Sequence, residues 1–275
     1  MVQMKVSFIT VCFKTPGLIR QLLKGFEAAN VAFPHEYFLV DNAAGDGTGE
    51  LVRERFPWVK LIEAPRNLGF GAGNNLAMRE AQGEYVMLLN PDLTIFPDEI
   101  EKLVEFADAH PEYGIIGPRL LHPDRTQQRT FHRFPNAFIP LYRRTVLGRT
   151  PWGRREIDRY LMVDADTDKV LEVDGLFGAA VLVKREVLDR IGYFDERFFM
   201  YFEDTDLCRR AWESGWRVCY APVAEFVHYH QRESELKSIW QLCTNRIARV
   251  HIKSGVQYFL KYYGKPHPRA SENNQ

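Results

Sequence analysis

The sequence predicts an α/β fold built on a mostly parallel central sheet with helices on both faces, and three observations carry that expectation. Over the first 120 residues, short β-rich apolar runs alternate with helix-like stretches, the pattern of a parallel sheet covered by helices. Asp41, Asn67 and Asp92 each follow a predicted strand, and ligands of open α/β sheets bind at that carboxyl edge. The chain has 275 residues, enough for one large or two small domains, and shows no internal repeat and no linker between independent units.

The elements follow in order. KVSFITV (5–11) reads as a first strand, and Pro16 opens a helix that runs to about Ala29. YFLVDN (37–42) is a second strand, GDGTGELVRERF a loop and helix, and WVKLIEA a third strand. GNNLAMREAQ gives a helix before the strand EYVMLLNPD (84–92). PDEIEKLVEFADAHP reads as a capped helix, and GIIGPRLL as a fifth strand. Residues 122–170, rich in arginine and carrying Pro123, Pro135, Pro140 and Pro151, read as loops and short helices beside the sheet, a substrate-contacting region or an irregular connection. VDGLFGAAVLVKR then suggests one strand, REVLDRIG a helix stopped by Gly192, and FDERFFMYFEDTDLCRRAWESGW a lead into another helix. WRVCYAPVAEFVHYH is extended. The tail from Ser234 has helical spacing with interleaved basic and aromatic residues, expected either to pack on the domain or to rest on a membrane and hold a lipid-linked substrate.

Composition narrows the function. With 36 basic and 36 acidic residues the chain has no global field for nucleic acid, so a phosphate ligand must be met by a local site or a metal. Cys12, Cys208, Cys219 and Cys243 include no CxxC pair, which points to a reducing, cytoplasmic compartment rather than a disulfide scaffold. No apolar run approaches the ~18 residues of a membrane span, and the start carries no signal-peptide cleavage site.

Three constellations bear chemistry. Asn90-Pro91-Asp92 presents a carboxylate at the end of a strand whose residues VMLLN are of buried type; turn aspartates are common, so metal binding needs partners. Glu203-Asp204-Thr205-Asp206 begins a helix, where acids complement the dipole and Asp206 pairs with Arg210 at i,i+4. The apolar run Phe198–Phe202 before it delivers Asp204 to a cleft floor, where a partly desolvated carboxylate suits a general base. His228, on one strand face with His230, is a structural imidazole or a nitrogen ligand to a divalent cation held chiefly by Asp92 and a substrate diphosphate. The glycines from Gly69 to Gly73 let a backbone approach a nucleotide. They follow the third strand rather than the first, and GxxxxGK[ST] is absent, so dehydrogenase and P-loop readings lose.

Together these residues resemble glycosyltransferase family 2, and within it the rhamnosyltransferase-like branch. The resemblance rests on Val40-Asp41-Asn42, Asn67 to Gly71, Leu88 to Asp92 and the run from Gly192 to Arg209, spans roughly residues 4–230, and extends to the tail's Tyr258–Gly264. It implies a GT-A fold with a Rossmann-like nucleotide-binding half (about 1–120), an acceptor-binding half (about 121–233) and a helical extension (234–275). By resemblance Thr10, Val11 and Asp41 contact the donor base, Asn67 and Gly69 border the nucleoside, and Asn90 reaches the ribose or diphosphate. Asp92 and His228 would hold Mg²⁺ or Mn²⁺, with Asn90 standing where the family's DxD motif has its first carboxylate. Asp204 matches the catalytic base, with Glu203 beside it.

The expected reaction is inverting transfer of a sugar, L-rhamnose from dTDP-rhamnose, to a hydroxyl of a lipid-linked or growing cell-surface glycan. A UDP-sugar donor is the alternative. A sugar-nucleotide nucleotidyltransferase would want a Gly-rich, basic loop after the first strand, where CFKTP offers only Lys14, and a non-catalytic nucleotide-binding module would not be expected to keep Asp92, Asp204 and His228. The expected location is the cytoplasm, peripheral on the inner face of the membrane through the tail.

Overall fold

The computed structural model describes residues 3–43, 45–143, 145–229 and 245–269. Strands β1 (Val6–Cys12), β2 (His35–Asp41), β3 (Lys60–Glu63) and β4 (Tyr85–Leu89) alternate with helices α1 (Pro16–Ala29), α2 (Thr48–Arg55) and α3 (Phe70–Glu80). All three pairings in the order β3-β2-β1-β4 are parallel, as the alternation predicts. The inner strands β1, β2 and β4 are mostly apolar and buried because both faces are covered, whereas the edge strand β3 (KLIE) is exposed at both ends. Tyr85, Met87 and Leu89 enter one core cluster with α1 residues, while Val86 and Leu88 enter the other with Ala77 and Met78 of α3. Helix α1 shows how the sequence writes such an element: Pro16 opens it, Ile19, Leu22, Leu23 and Phe26 are buried on one stripe, and Asn30 ends it in a left-handed conformation.

Beyond β4 the sheet is mixed rather than parallel. After β5 (Leu93–Thr94), α4 (Glu99–Ala109) and β6 (Tyr113–Leu121) come β7 (Phe131–His132), α5 (Ile139–Tyr142), α6 (Pro151–Tyr160), β8 (Leu171–Glu172), β9 (Gly175–Leu176) and β10 (Ala180–Lys184). Helices α7 (Arg185–Ile191) and α8 (Glu203–Glu213), strand β11 (Arg217–His228) and helix α9 (Arg246–Lys261) complete the described chain. The main sheet runs β3-β2-β1-β4-β10-β6-β11-β5, with β10 antiparallel to both its neighbours and β5 and β8 antiparallel to β11.

The segment expected as one strand over 173–185 is broken. The Asp174 carboxylate accepts from the Phe134 backbone (2.9 Å), and Phe177 N–H donates to Thr130 (2.8 Å). These bonds draw β9 into a two-stranded ribbon with β7, and only β10 returns to the main sheet.

Helix α9 packs on the domain. Tyr258 and Tyr262 join Phe198 and Phe202 in a separate apolar cluster, and Ser254 Oγ donates to the Met200 carbonyl (2.9 Å). Its outer face leaves Ile252, Val256 and Leu260 exposed, and Tyr263 just past its end is exposed as well. No helix among the described residues is long and apolar enough to cross a membrane. His230 and the tail through Thr244 lie outside the described residues.

Candidate active site

The site forms where the carboxyl ends of β1, β2 and β4 meet the turn before α8. Asn42, just past β2, does the first positioning. Its Nδ2 donates to Asn67 Oδ1 (3.2 Å) and to the Gly69 carbonyl (2.9 Å), while its Oδ1 accepts from Leu68 N–H (2.8 Å). Gly69 lies at φ 88°, ψ −177°, a region that glycine alone occupies readily, and a Cβ there would sit 2.0 Å from the Phe199 carbonyl oxygen. That carbonyl accepts from Phe70 N–H (2.8 Å), so the 67–71 loop is seated directly on the turn that leads to Asp204.

That turn is strained. Tyr201 and Phe202 are consecutive non-glycine residues at positive φ (70° and 69°), a conformation that costs roughly 1–3 kcal/mol each and that the surroundings must enforce. Helix α9 supplies the enforcement, with His251 stacked on Tyr201 (4.3 Å) and Ser254 bonded to Met200.

Asp204, half-buried at the start of α8, accepts from Thr205 N–H at Oδ1 (2.6 Å) and from Gly178 N–H at Oδ2 (3.1 Å). The neighbouring Ala179 carbonyl accepts from Asn90 N–H (2.8 Å), which joins the Asp204 turn to the Asn90–Asp92 strand end. Thr205 Oγ1 also donates to Oδ1 (3.2 Å), and these three bonds still leave the carboxylate a lone pair for a substrate hydroxyl. Glu203 is buried, with its Oε2 unpartnered, and burial followed by the charge of Asp204 pushes its carboxyl well above the usual range.

Asp92 and His228 come together. His228 Nε2 lies 3.2 Å from Asp92 Oδ1, and Tyr229 N–H donates to the Asp92 carbonyl (2.9 Å). Gln128 orients the imidazole: its amide nitrogen donates to the His228 carbonyl (2.7 Å), which turns its oxygen toward His228 Nδ1 (2.9 Å). That contact occupies Nδ1 and leaves Nε2, on the Asp92 side of the ring, as the nitrogen that would offer its lone pair to a bound cation. Among the described residues no three His, Cys, Asp or Glu side chains gather as a metal cluster, so the pair fits a cation whose remaining ligands come with a substrate.

The residues expected to meet the donor base are placed unevenly. Thr10 is buried with its hydroxyl on Tyr37 (2.8 Å), so its side chain belongs to the core. Val11 packs against Gly73 at the start of α3. Asp41 is also buried, accepts from Ala43 N–H (3.0 Å), and has its carboxyl raised by burial, then by neighbouring acids.

Three groups here escape sequence reasoning: Asn42, visible only as part of its motif, Gln128, and His132. No local pattern marks Gln128 or His132, since each acts across long sequence separations. His132 is fully buried, stacks on Tyr160 (5.1 Å) and lies 3.4 Å from Thr205 Oγ1, and burial lowers its pKa.

A parallel nucleotide-binding-type half joined through an antiparallel strand to a second half, with acids at the seam, is the architecture of a GT-A glycosyltransferase. Residues 7–192 match the family model of glycosyl transferase family 2, and the chain belongs to that family. The N-acetylglucosaminyl-diphospho-decaprenol L-rhamnosyltransferase of Mycobacterium tuberculosis is 32% identical over 211 residues, which cover 71% of this chain and 67% of that protein.

Two solved structures share the fold. The mannosyltransferase PcManGT from Pyrobaculum calidifontis, in complex with GDP-Man and Mn²⁺, superposes with a TM-score of 0.62 at 20% identity over 97% of this chain and 67% of that one. S. aureus TarS 1-349 in complex with UDP-GlcNAc gives 0.56 at 18% identity over 83% of this chain, which spans 59% of that one. The chain is therefore a glycosyltransferase of glycan biosynthesis.

Proposed function

We propose that this enzyme transfers L-rhamnose from dTDP-rhamnose, with inversion, to a hydroxyl of a lipid-linked or growing cell-surface glycan. The observation that carries the reading is the hydrogen-bond chain from Asp204 through Gly178 and Ala179 to Asn90, which sets a general base facing the strand end that bears Asp92. Asp204 takes the acceptor hydroxyl proton as the oxygen attacks the anomeric carbon opposite the departing nucleoside diphosphate, and no covalent enzyme intermediate is needed. Asn67 and Gly69 border the nucleoside, the ends of β1 and β2 at Val11 and Asp41 face the base with Thr10 held in the core behind them, and Asn90 reaches the ribose or diphosphate. Glu203, whose carboxyl burial raises above the usual range, lines the floor of the site beside the base. Asp92 and His228 would hold Mg²⁺ or Mn²⁺, which neutralises charge on the diphosphate when bound.

The rhamnosyl donor and the polyprenyl-diphosphate-linked acceptor are supported by the mycobacterial relative's name. Residues 1–233 form the catalytic domain in this reading, with donor and acceptor halves meeting near residue 120. Residues 234–275 are a C-terminal extension in this reading, and the exposed apolar face of its helix α9 touches the cytoplasmic leaflet, a contact that vesicle co-sedimentation tests.

Thermal-shift measurements with dTDP, UDP, GDP and CMP, each with Mn²⁺ or EDTA, test the donor, because a ligand of the native state raises the melting temperature by mass action. A metal-dependent shift largest for dTDP is expected. A larger shift with UDP moves the donor to a UDP-sugar, and no shift with any nucleotide defeats the reading. Asp92→Ala is expected to weaken nucleotide binding about tenfold or more in Mn²⁺ and to leave it unchanged in EDTA, as loss of a ligand costs. Equal calorimetric affinity in Mn²⁺ would remove Asp92 from the cation site.

A further inference from the structure

The irregular segment between β6 and β8 borders an open cavity of about 890 Å³ lined by Arg133, Arg149, Arg154, Arg155 and Arg159, against Asp158 and Asp164. Arg159 pairs with Glu156, while the guanidinium groups of the other four enter no ion pair or hydrogen bond among the described residues. Five arginines converging on one cavity repel one another, and none is needed for the fold, since Arg149, Arg154 and Arg155 are exposed on a short helical turn and on α6. Such a group is stabilised by an anion with several oxygens, which the planar guanidinium forks bind in pairs.

The cavity's position says which anion. It borders the catalytic side: Arg133 adjoins His132, its N–H donates to the Tyr160 carbonyl of α6 (2.8 Å), and Tyr160 stacks on His132. His132 reaches Thr205, which holds the Asp204 carboxylate. None of the residues expected to meet the donor lines it. The same segment exposes Phe138, Val146, Leu147 and Trp152, with Trp152 64% and Val146 69% accessible. An arginine-lined cavity beside apolar side chains left in water matches a ligand with a polyanionic head and a hydrocarbon tail.

We propose that this cavity binds the diphosphate of a prenyl-diphosphate-linked acceptor, so that the sugar it carries extends toward Asp204. The proposal rests on the lipid-linked acceptor reading above and adds the site that recognises the lipid's head.

The test uses the full chain in EDTA, titrated calorimetrically with farnesyl diphosphate. The wild type is expected to bind it, inorganic pyrophosphate to displace it, and farnesol not to bind. The triple variant Arg149→Gln/Arg154→Gln/Arg155→Gln is expected to lose about tenfold or more in affinity, since charge-assisted bonds are removed. Its melting temperature reports that the fold is kept. The corresponding triple lysine variant retains charge and is expected to bind between the two.

Unchanged farnesyl diphosphate affinity in the glutamine variant overturns the proposal. So does a glutamine variant that loses binding to phosphatidylglycerol vesicles while keeping farnesyl diphosphate, because the cavity would then be a phospholipid headgroup site. The nucleotide thermal shift in Mn²⁺ is read on the same variant and is expected to match the wild type. Its absence in the wild type would defeat the donor reading while leaving the farnesyl diphosphate result to stand or fall alone.

Discussion

Asp204→Asn is expected to lower turnover by about 10² to 10⁴, the range that a positioned proton acceptor contributes, while nucleotide affinity stays at the wild-type level. The separation of these effects follows from the geometry. The Asp204 hydrogen bonds go to Gly178 and Thr205 and none to the loop from Asn67 to Phe70, so the amide breaks no bond of the donor half. An asparagine has one carbonyl oxygen where Asp204 offers two acceptors to two backbone N–H groups. One of those bonds is therefore lost, at about 1 kcal/mol of stability, which a denaturation curve would register. A variant that retains more than a tenth of wild-type turnover would take the base role away from Asp204.

Gly69→Ala is expected to be the most damaging single change at the site, lowering stability by about 3 kcal/mol or more and removing measurable transfer. Two costs add. The backbone at φ 88°, ψ −177° is strained for any residue with a Cβ, and that Cβ would meet the Phe199 carbonyl oxygen at 2.0 Å. Relief requires the 67–71 loop to lift from the 199–204 turn, which breaks the Phe70–Phe199 hydrogen bond and parts the donor side from Asp204. Urea denaturation together with nucleotide calorimetry would check it, and a variant with wild-type stability would show that the two segments are not locked. Gly17 and Gly192, where an added Cβ would meet no atom within 4 Å, offer contrasts: Gly17→Ala meets neither steric contact nor positive φ, whereas Gly192 shares the positive φ alone.

The acids between Asp195 and Asp206 show where sequence reading stops. All sit in one motif, and pattern alone ranks Asp204 first through its apolar approach, with Asp206 assigned to an i,i+4 pair. The structure distributes the rest. Asp195 is held by Lys261 and Arg197, Glu196 by Arg79 and Asn75, and buried Asp206 by Arg210, Lys261 and Tyr262. Glu203 and Asp204 remain for the site. The partners Lys261 and Tyr262 come from more than 50 residues downstream, and Asn75 and Arg79 from α3, about 120 residues upstream, distances that no local spacing rule spans.

The sequence by itself determined the parallel half of the sheet, because its inner strands are short apolar runs, α1 carries an apolar stripe from Pro16 to its Asn30 end, and strands and helices alternate along the chain. It also determined which residues cluster at strand ends, since period and order along the chain decide that locally. Only the tertiary structure decided that β10 enters antiparallel, that 173–177 leaves to pair with β7, that Gln128 and Asn42 orient the site, and that five arginines line one open cavity. Those outcomes depend on hydrogen bonds and charges brought together from distant parts of the chain, whose partners exist only once the two halves have packed.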